Sequence, residues 1–160
     1  MEIGIDIYNI LSTSSQTALS DDIDGRIYPV KVPLAYTQVF PYIVYNTVSD
    51  VPTNTKGPDA AYHLPNQKSP LDTYRLQISC FGNDYNINVR IALAVRAELD
   101  RHATGQFNGG PYIDSLVYDG VTELYEDKIQ SQGVYHHAID FIIRVRNISL
   151  IYKIRNNATY

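Results

Sequence analysis

The chain has 160 residues, the size of one ordinary globular domain, which argues against an enzyme built from separate cofactor and substrate domains. Apolar residues make up 44% and charged residues 19%, enough for a buried core and too little charge for a disordered chain. Thirteen basic against seventeen acidic side chains leave a net charge of −4, which argues against a protein whose main task is gripping nucleic acid by its phosphates. Tyr is abundant, at 14 against 4 Phe and no Trp. A side chain with an apolar ring and a polar tip suits half-buried surfaces such as subunit interfaces. Cys80 is the single cysteine, so no intrachain disulfide forms. With no basic-then-apolar leader and no apolar run long enough to cross a bilayer, the expectation is a soluble, unexported chain in a reducing compartment.

Charge is unevenly distributed. Residues 1–25 hold Glu2, Asp6, Asp21, Asp22 and Asp24 without Lys or Arg, whereas 141–160 hold Arg144, Arg146, Lys153 and Arg155 without an acid. Opposite signs at the two ends can complement each other between subunits or simply face solvent.

In chain order, Ile3, Ile7, Ile10 and Leu11 fall on one helical face and predict a helix over residues 2–14. Ser20 to Gly25 is turn chemistry, and Arg26 to Val30 reads as a short extended piece that Pro29 confines to an edge or a strand end. Tyr42 to Val48, β-branched and aromatic, predicts a strand. Residues 50–70, with four Pro after Asp50 and little apolar material, read as a long irregular loop. From Thr73 the alternation is clean, with Tyr74, Leu76, Ile78 and Cys80 on one face. Asn83 or Asp84 caps a helix running to about Arg101, striped by Ile87, Ile91, Val95 and Leu99. Strands Tyr112 to Tyr118 and Val121 to Glu126 flank Asp119-Gly120, a dipeptide that favours a tight hairpin. A last strand, Val134 to about Arg146, puts Tyr135, His137, Ile139, Phe141, Ile143 and Val145 on one face. The order predicts an α+β fold: a mostly antiparallel sheet with two α-helices on one face, as a single domain over 1–147, followed by an extension, 148–160, suited to docking on a neighbour.

The chemistry-bearing residues do not assemble into a site. His136 and His137 are adjacent in a strand and point to opposite faces, so they cannot share an ion with Asp140 without a bulge; both read as structural. His63 lies in the long loop and His102 at a helix end, where positive charge is favourable. Cys80 falls in a buried row with no neighbouring base and reads as a small core residue. Gly105 to Gly110 follows a helix and lacks the Lys and Ser/Thr of a phosphate loop, so it reads as a turn. Glu123, Glu126 and Asp127 form an acidic group around a hairpin; the solvated reading outweighs the catalytic one, which needs a raised pKa in a cleft. The sequons at Asn147 and Asn157 carry no meaning in an unexported chain. No cofactor, metal or membrane partner is expected.

Several ordered segments resemble the tail-completion, or tail-terminator, proteins of long-tailed bacteriophages. They are the N-terminal helix, Gly25 to Pro29, Pro41 to Tyr45, Leu76 to Phe81, the helix ending Val95-Arg96-Ala97-Glu98-Leu99, Leu124 to Asp127, and Tyr135 to Phe141. The loop 51–70 and the tail after Arg146 are longer than is usual in that family, so no contact of theirs is carried over. The resemblance implies a non-enzymatic virion protein at the neck, assembled in the host cytoplasm. It forms a homohexameric ring on the completed tail tube, contacts the tube protein and head-completion proteins, and lets DNA pass unread. Glu123, Glu126 and Asp127 become candidates for the lumen, and Lys56, Tyr62, His63, Tyr152 and Arg155 for assembly interfaces. The alternatives are another neck ring such as a head-completion protein, or a small α+β enzyme or ligand-binding domain using the carboxylates or His136 and His137.

Overall fold

The computed structural model describes residues 3–34, 39–52, 71–102, 105–106, 112–128 and 131–146. The first helix, α1 (Ile3–Ser12), buries Ile3, Asp6, Ile7, Ile10 and Leu11, the face set by the isoleucine spacing. Gly4 lets it approach the sheet, because a Cβ there would stand 3.3 Å from the Tyr45 ring.

Residues 18–23 correct the expected turn. Ala18–Ile23 is a single π-helical turn whose Ala18, Leu19 and Ile23 are buried. Its hydrogen bonds span five residues, so Ala18 and Ile23 share a face that a 3.6-residue template does not reveal. Asp24 and Gly25, both at positive φ, end it. Arg26 then holds two segments together, its guanidinium donating to the carbonyls of Asp22 and Pro41.

Six strands form one sheet in the order β1-β2-β3-β6-β5-β4. The short β1 (Ile27–Pro29) pairs in parallel with β2 (Tyr42–Pro52), at the sheet edge where Pro29 is tolerated. All other pairings are antiparallel, through β3 (Leu71–Gly82), β6 (Ser131–Arg146), β5 (Tyr112–Lys128) and the two-residue β4 (Gly105–Gln106). β2 runs four residues past the expected end, to Pro52, and residues 53–70 lie outside the described segments.

The second helix, α2 (Tyr85–Leu99), begins at Asp84, whose carboxylate accepts from the Ile87 N–H at 2.9 Å. Ile91, Val95 and Leu99 are fully buried as expected, but Asn88 takes the buried place at the N-terminal end and Ile87 is half-buried. α1, the π-turn and α2 cover one face of the sheet, and a single core joins them to Ile43, Leu76, Ile78, Cys80, Ile139, Phe141 and Ile143. The α+β class is as predicted.

The expected hairpin at Asp119-Gly120 does not form. β5 runs unbroken from Tyr112 to Lys128, and its pairing with β6 skips from Tyr118 to Gly120, so Asp119 is the extra residue of a bulge. Gly120 is not among the glycines at positive φ, which the two-residue turn would require. Arg75 contacts the bulge. Its guanidinium reaches across β6 to pair with Asp119 and lies 3.8 Å from Asp140, while Gln77 donates to Asp140 at 3.1 Å. The late region is therefore one long β5–β6 hairpin in place of a three-strand meander. Likewise Gly105 and Gln106, expected in a turn, pair with Ile113 and Tyr112.

Candidate assembly surfaces

Strand pairing sorts the polar and aromatic groups of the sheet onto its two faces. On the face away from the helices, Phe40, Tyr42, Phe81 and His136 stand in a row across β2, β3 and β6, with centroid separations of 5.4, 4.9 and 4.2 Å. Burial holds the His136 imidazole below its usual pKa; Glu126 opposes the shift and His137 adds to it. A neutral ring stacked on Phe81 is the outcome.

On the helix side, His137 lies beneath α2 with only 3% of its surface exposed. The Asn88 amide donates to the Cys80 and Tyr135 carbonyls at 3.2 and 3.1 Å, and lies 2.7 Å from His137 Nδ1. Two carbonyl partners fix which end of the amide carries the protons. Nδ1 of His137 therefore accepts and Nε2 carries the ring proton. That N–H is buried with no hydrogen-bond partner, the nearest carboxylate oxygen, Glu123 Oε1, being 3.6 Å away. A buried donor left unmade costs about 1–3 kcal/mol.

His137 is one of the residues lining a groove between α2 and β5 whose walls are Val89, Ala92, Leu93, Val121 and Ile139. Arg96 closes one end, its guanidinium 3.9 Å above the Tyr118 ring. The groove holds about 90 Å³, room for one aliphatic side chain and well below the roughly 300–1,000 Å³ of ordinary ligand sites. Two broader hollows, of about 440 and 570 Å³, open directly to solvent. One lies against Val30, Tyr42, Asn46 and Phe81; the other, between the π-turn and α2, is lined by Asp21, Asp22 and Arg90, of which Asp22 and Arg90 pair with each other at 2.6 Å. Cys80 is fully buried and its thiol is pushed up to about 12 by burial alone, which removes it as a nucleophile. Among the described residues no group of three or more His, Cys, Asp or Glu could hold a metal ion, and no helix is long and apolar enough to cross a membrane.

The outer strand of the hairpin leaves several apolar side chains open to solvent. Val117, Val121, Leu124 and Tyr125 of β5 are between 43% and 54% exposed. Among the described residues β4 pairs only with Tyr112 and Ile113, so the β5 edge from Ser115 onward has no strand beside it. Tyr85, Tyr125 and Tyr135 cluster at the tip end, with Tyr135 4.9 Å from Tyr125 and 5.4 Å from Tyr85. These are the half-buried Tyr faces anticipated from composition.

The sequence-predicted acidic group is split. Glu126 and Asp127 are exposed close to the hairpin tip, where Lys128 pairs with Ser131, whereas Glu123 pairs with His137 farther down, on the helix side. His136 and His137 point to opposite faces, as strand geometry requires. Lys56, Tyr62, His63, Tyr152 and Arg155, and the extension 148–160, lie outside the described residues. Asn88 was not singled out from sequence. The available signal was a polar residue in register with Ile91, Ala92 and Val95 on the buried face of an otherwise apolar stripe.

No protein-family model and no curated protein matches the chain. Among solved structures, a chain described as "Virion of native gene transfer agent (GTA) particle" has the same fold, with a TM-score of 0.58 and 11% identity over 88% of this chain and 92% of that one.

Proposed function

We propose that this chain is a structural, non-enzymatic virion protein that forms a ring, a hexamer by the family resemblance, at the head-proximal end of a phage-like tail. There it ends growth of the tail tube and offers the surface on which head-completion proteins join. The observation that carries the virion reading is the shared fold with a virion chain over nearly the full length of both. The neck position and the terminating role rest on the ordered segments that resemble tail-terminator proteins. What supports assembly over catalysis is a fully buried thiol and a strand that leaves apolar side chains exposed at one side of the sheet.

A closed ring needs two different complementary patches on each subunit. It also needs a lumen that does not hold DNA, since each Lys or Arg facing the passage adds a salt-dependent grip on phosphate. Glu126 and Asp127, exposed at the hairpin tip, are proposed for the lumen. Glu123, on the helix side of β5, fits a subunit contact better.

Native mass spectrometry of the purified chain, with and without tail tubes, tests the reading. A ring-sized oligomer that caps tubes and stops their elongation is expected. A strict monomer that ignores tubes refutes it, and a ring that binds the head side but leaves tube length uncontrolled replaces it with the head-completion role.

A further inference from the structure

We infer that the subunits of this ring are joined by strand addition: the C-terminal extension of one copy, Ile148 to Arg155, lies as a parallel strand along the free edge of β5 in the next. The inference rests on the ring reading and names the contact by which the ring closes. Part of that edge is already used. The Arg101 N–H donates to the Leu116 carbonyl at 2.9 Å and the Tyr118 N–H donates to the Asp100 carboxylate at 3.0 Å, so the turn after α2 seals β5 up to the bulge. Leu116 and Tyr118 stand opposite Ile143 and Phe141 of β6. The same alternation on β6 assigns the next outward-facing main-chain groups to Val121, Glu123 and Tyr125, opposite Ile139, His137 and Tyr135. Among the described residues no strand lies beside these three.

The extension has the sequence of a strand that fits there. Ile148, Leu150, Tyr152 and Ile154 alternate with Ser149, Ile151, Lys153 and Arg155, and the run contains neither Pro nor an acid. β5 is opposite in charge, with Asp114, Asp119, Glu123, Glu126 and Asp127 against Lys128. One register satisfies both faces. With Ile151 beside Val121 in parallel, Lys153 falls beside Glu123 and Arg155 beside the Tyr125 ring on the helix side. On the other face Leu150 falls beside Gly120, where a Cβ would meet nothing within 4 Å, Tyr152 beside Thr122, and Ile154 beside Leu124. Val121, Leu124 and Tyr125, between 47% and 54% exposed in the free subunit, become covered.

The donor has to be a second copy. Arg146 of β6 stands opposite Tyr112 and Ile139 opposite Val121, so Val121 lies about 23 Å along the sheet from the end of β6 at the rise of a strand. From Arg146 to Ile151 the chain extends at most about 18 Å. A subunit's own extension therefore cannot set Ile151 beside its own Val121. Donor and acceptor are different surfaces, so each copy gives its extension to one neighbour and receives that of the other, the heterologous contact that closes into a ring. Main-chain bonds along the edge supply affinity, and the two side-chain rows fix the register.

Cysteine cross-linking tests the register, because the native Cys80 is fully buried and contributes no background. Thr122 is exposed, so its replacement leaves the core intact. Under mild oxidation Thr122→Cys with Tyr152→Cys should give a ladder of covalent oligomers up to the size of the ring on a non-reducing gel. Each single variant, and Thr122→Cys with Lys153→Cys on the opposite face, should stay monomeric there. Tyr152→Pro removes the N–H that meets the Val121 carbonyl and should weaken the subunit contact about tenfold or more in sedimentation equilibrium, with the thermal melt of the monomer unchanged. Glu123→Lys should weaken the contact too, and its combination with Lys153→Glu should restore it. Rings that form normally, yet give no ladder and tolerate Tyr152→Pro, overturn strand addition while leaving the ring reading in place. A disulfide between positions 122 and 152 that forms only within monomers overturns it in favour of the subunit's own extension. A chain that is monomeric at every concentration and on tail tubes removes both.

Discussion

Asn88 is where a single buried amide joins three elements, and its replacement measures how the helix layer is fastened to the sheet. It is fully buried in α2 and its Nδ2 contacts the Cys80 carbonyl of β3 at 3.2 Å, the Tyr135 carbonyl of β6 at 3.1 Å and His137 Nδ1 at 2.7 Å. Gly82 leaves room for it, since a Cβ at that position would stand 3.2 Å from Asn88 Oδ1. Asn88→Ala removes both N–H protons of an amide shared among two strand carbonyls and one imidazole nitrogen in the interior. Each buried hydrogen bond lost costs about 1 kcal/mol or more, and removing the orphaned Oδ1 returns part of that. The net loss should be about 2–4 kcal/mol, which for a chain of this size lowers Tm by roughly 5–15 °C.

Asn88→Asp keeps the shape and turns the amide donor into a carboxyl that faces two carbonyl oxygens, so it should lose more than the alanine variant. Urea unfolding followed by circular dichroism gives the free energies, and imidazole nitrogen chemical shifts report the tautomer. The wild type should carry the His137 proton on Nε2, and Asn88→Ala should release that constraint. An alanine variant within about 0.5 kcal/mol of wild type, or an aspartate variant as stable as the alanine one, would refute the account of the amide as the fastening.

Gly120→Ala should cost less than about 0.5 kcal/mol, because a Cβ there meets nothing within 4 Å and the backbone sits in a bulge; a loss above about 1 kcal/mol would indicate the tight turn after all. Cys80 should resist alkylation in the folded chain and react on unfolding. Its folded pKa, about 12, lies above the ordinary 9.0, so its contribution to stability is complete below about pH 9 and is lost as pH rises toward 12, which urea midpoints across that range would reveal. For His136 the sign reverses: its folded pKa is depressed, so stability is complete above the ordinary value of 6.5 and falls as pH drops below it. His136→Phe keeps a ring against Phe81 and should flatten that acid-side decline, measured as urea midpoints at pH 5 and pH 8. On the ring reading, Glu126→Lys together with Asp127→Lys should slow DNA release from the particle in a salt-dependent manner; unchanged release at low salt would refute the proposed lumen position.

The fold was legible wherever one period dominated a segment. Ile3 to Leu11 repeat on a helical face and Leu76, Ile78 and Cys80 alternate on a strand, and in each case the residues named are those buried. Legibility failed where a local signal had a long-range competitor. Asp119-Gly120 carries the dipeptide of a tight turn, yet Arg75, 44 positions earlier, draws Asp119 into an ion pair and the strand continues through a bulge. The π-turn at Ala18–Ile23 was hidden because its apolar residues follow a spacing that belongs to neither the helix nor the strand template. The groove was out of reach for a similar reason. His137 was readable as a buried-face residue, but the state of its ring depends on Asn88, 49 positions away.

The same competition explains how one strand serves two purposes. A hairpin turn at Asp119 would have ended β5 beneath the helices and left a compact meander with little free edge. The bulge instead carries β5 on past Tyr118, so that Val121 reaches the groove, Glu123 its rim, and Glu126 and Asp127 the tip. It also raises local twist. Proteins usually blunt an open apolar strand with charge, proline or a covering element, because it invites uncontrolled pairing. On the ring reading the exposure of Val117, Val121, Leu124 and Tyr125 is tolerable because the assembled neighbour covers it. The Arg75–Asp119 pair, exposed and weak as a source of stability, then matters for shape: it favours the bulge that aims the strand. On the same reading Tyr fits such a strand better than Phe, since its hydroxyl can stay hydrated in a free subunit while its aromatic face supplies contact area in an assembly.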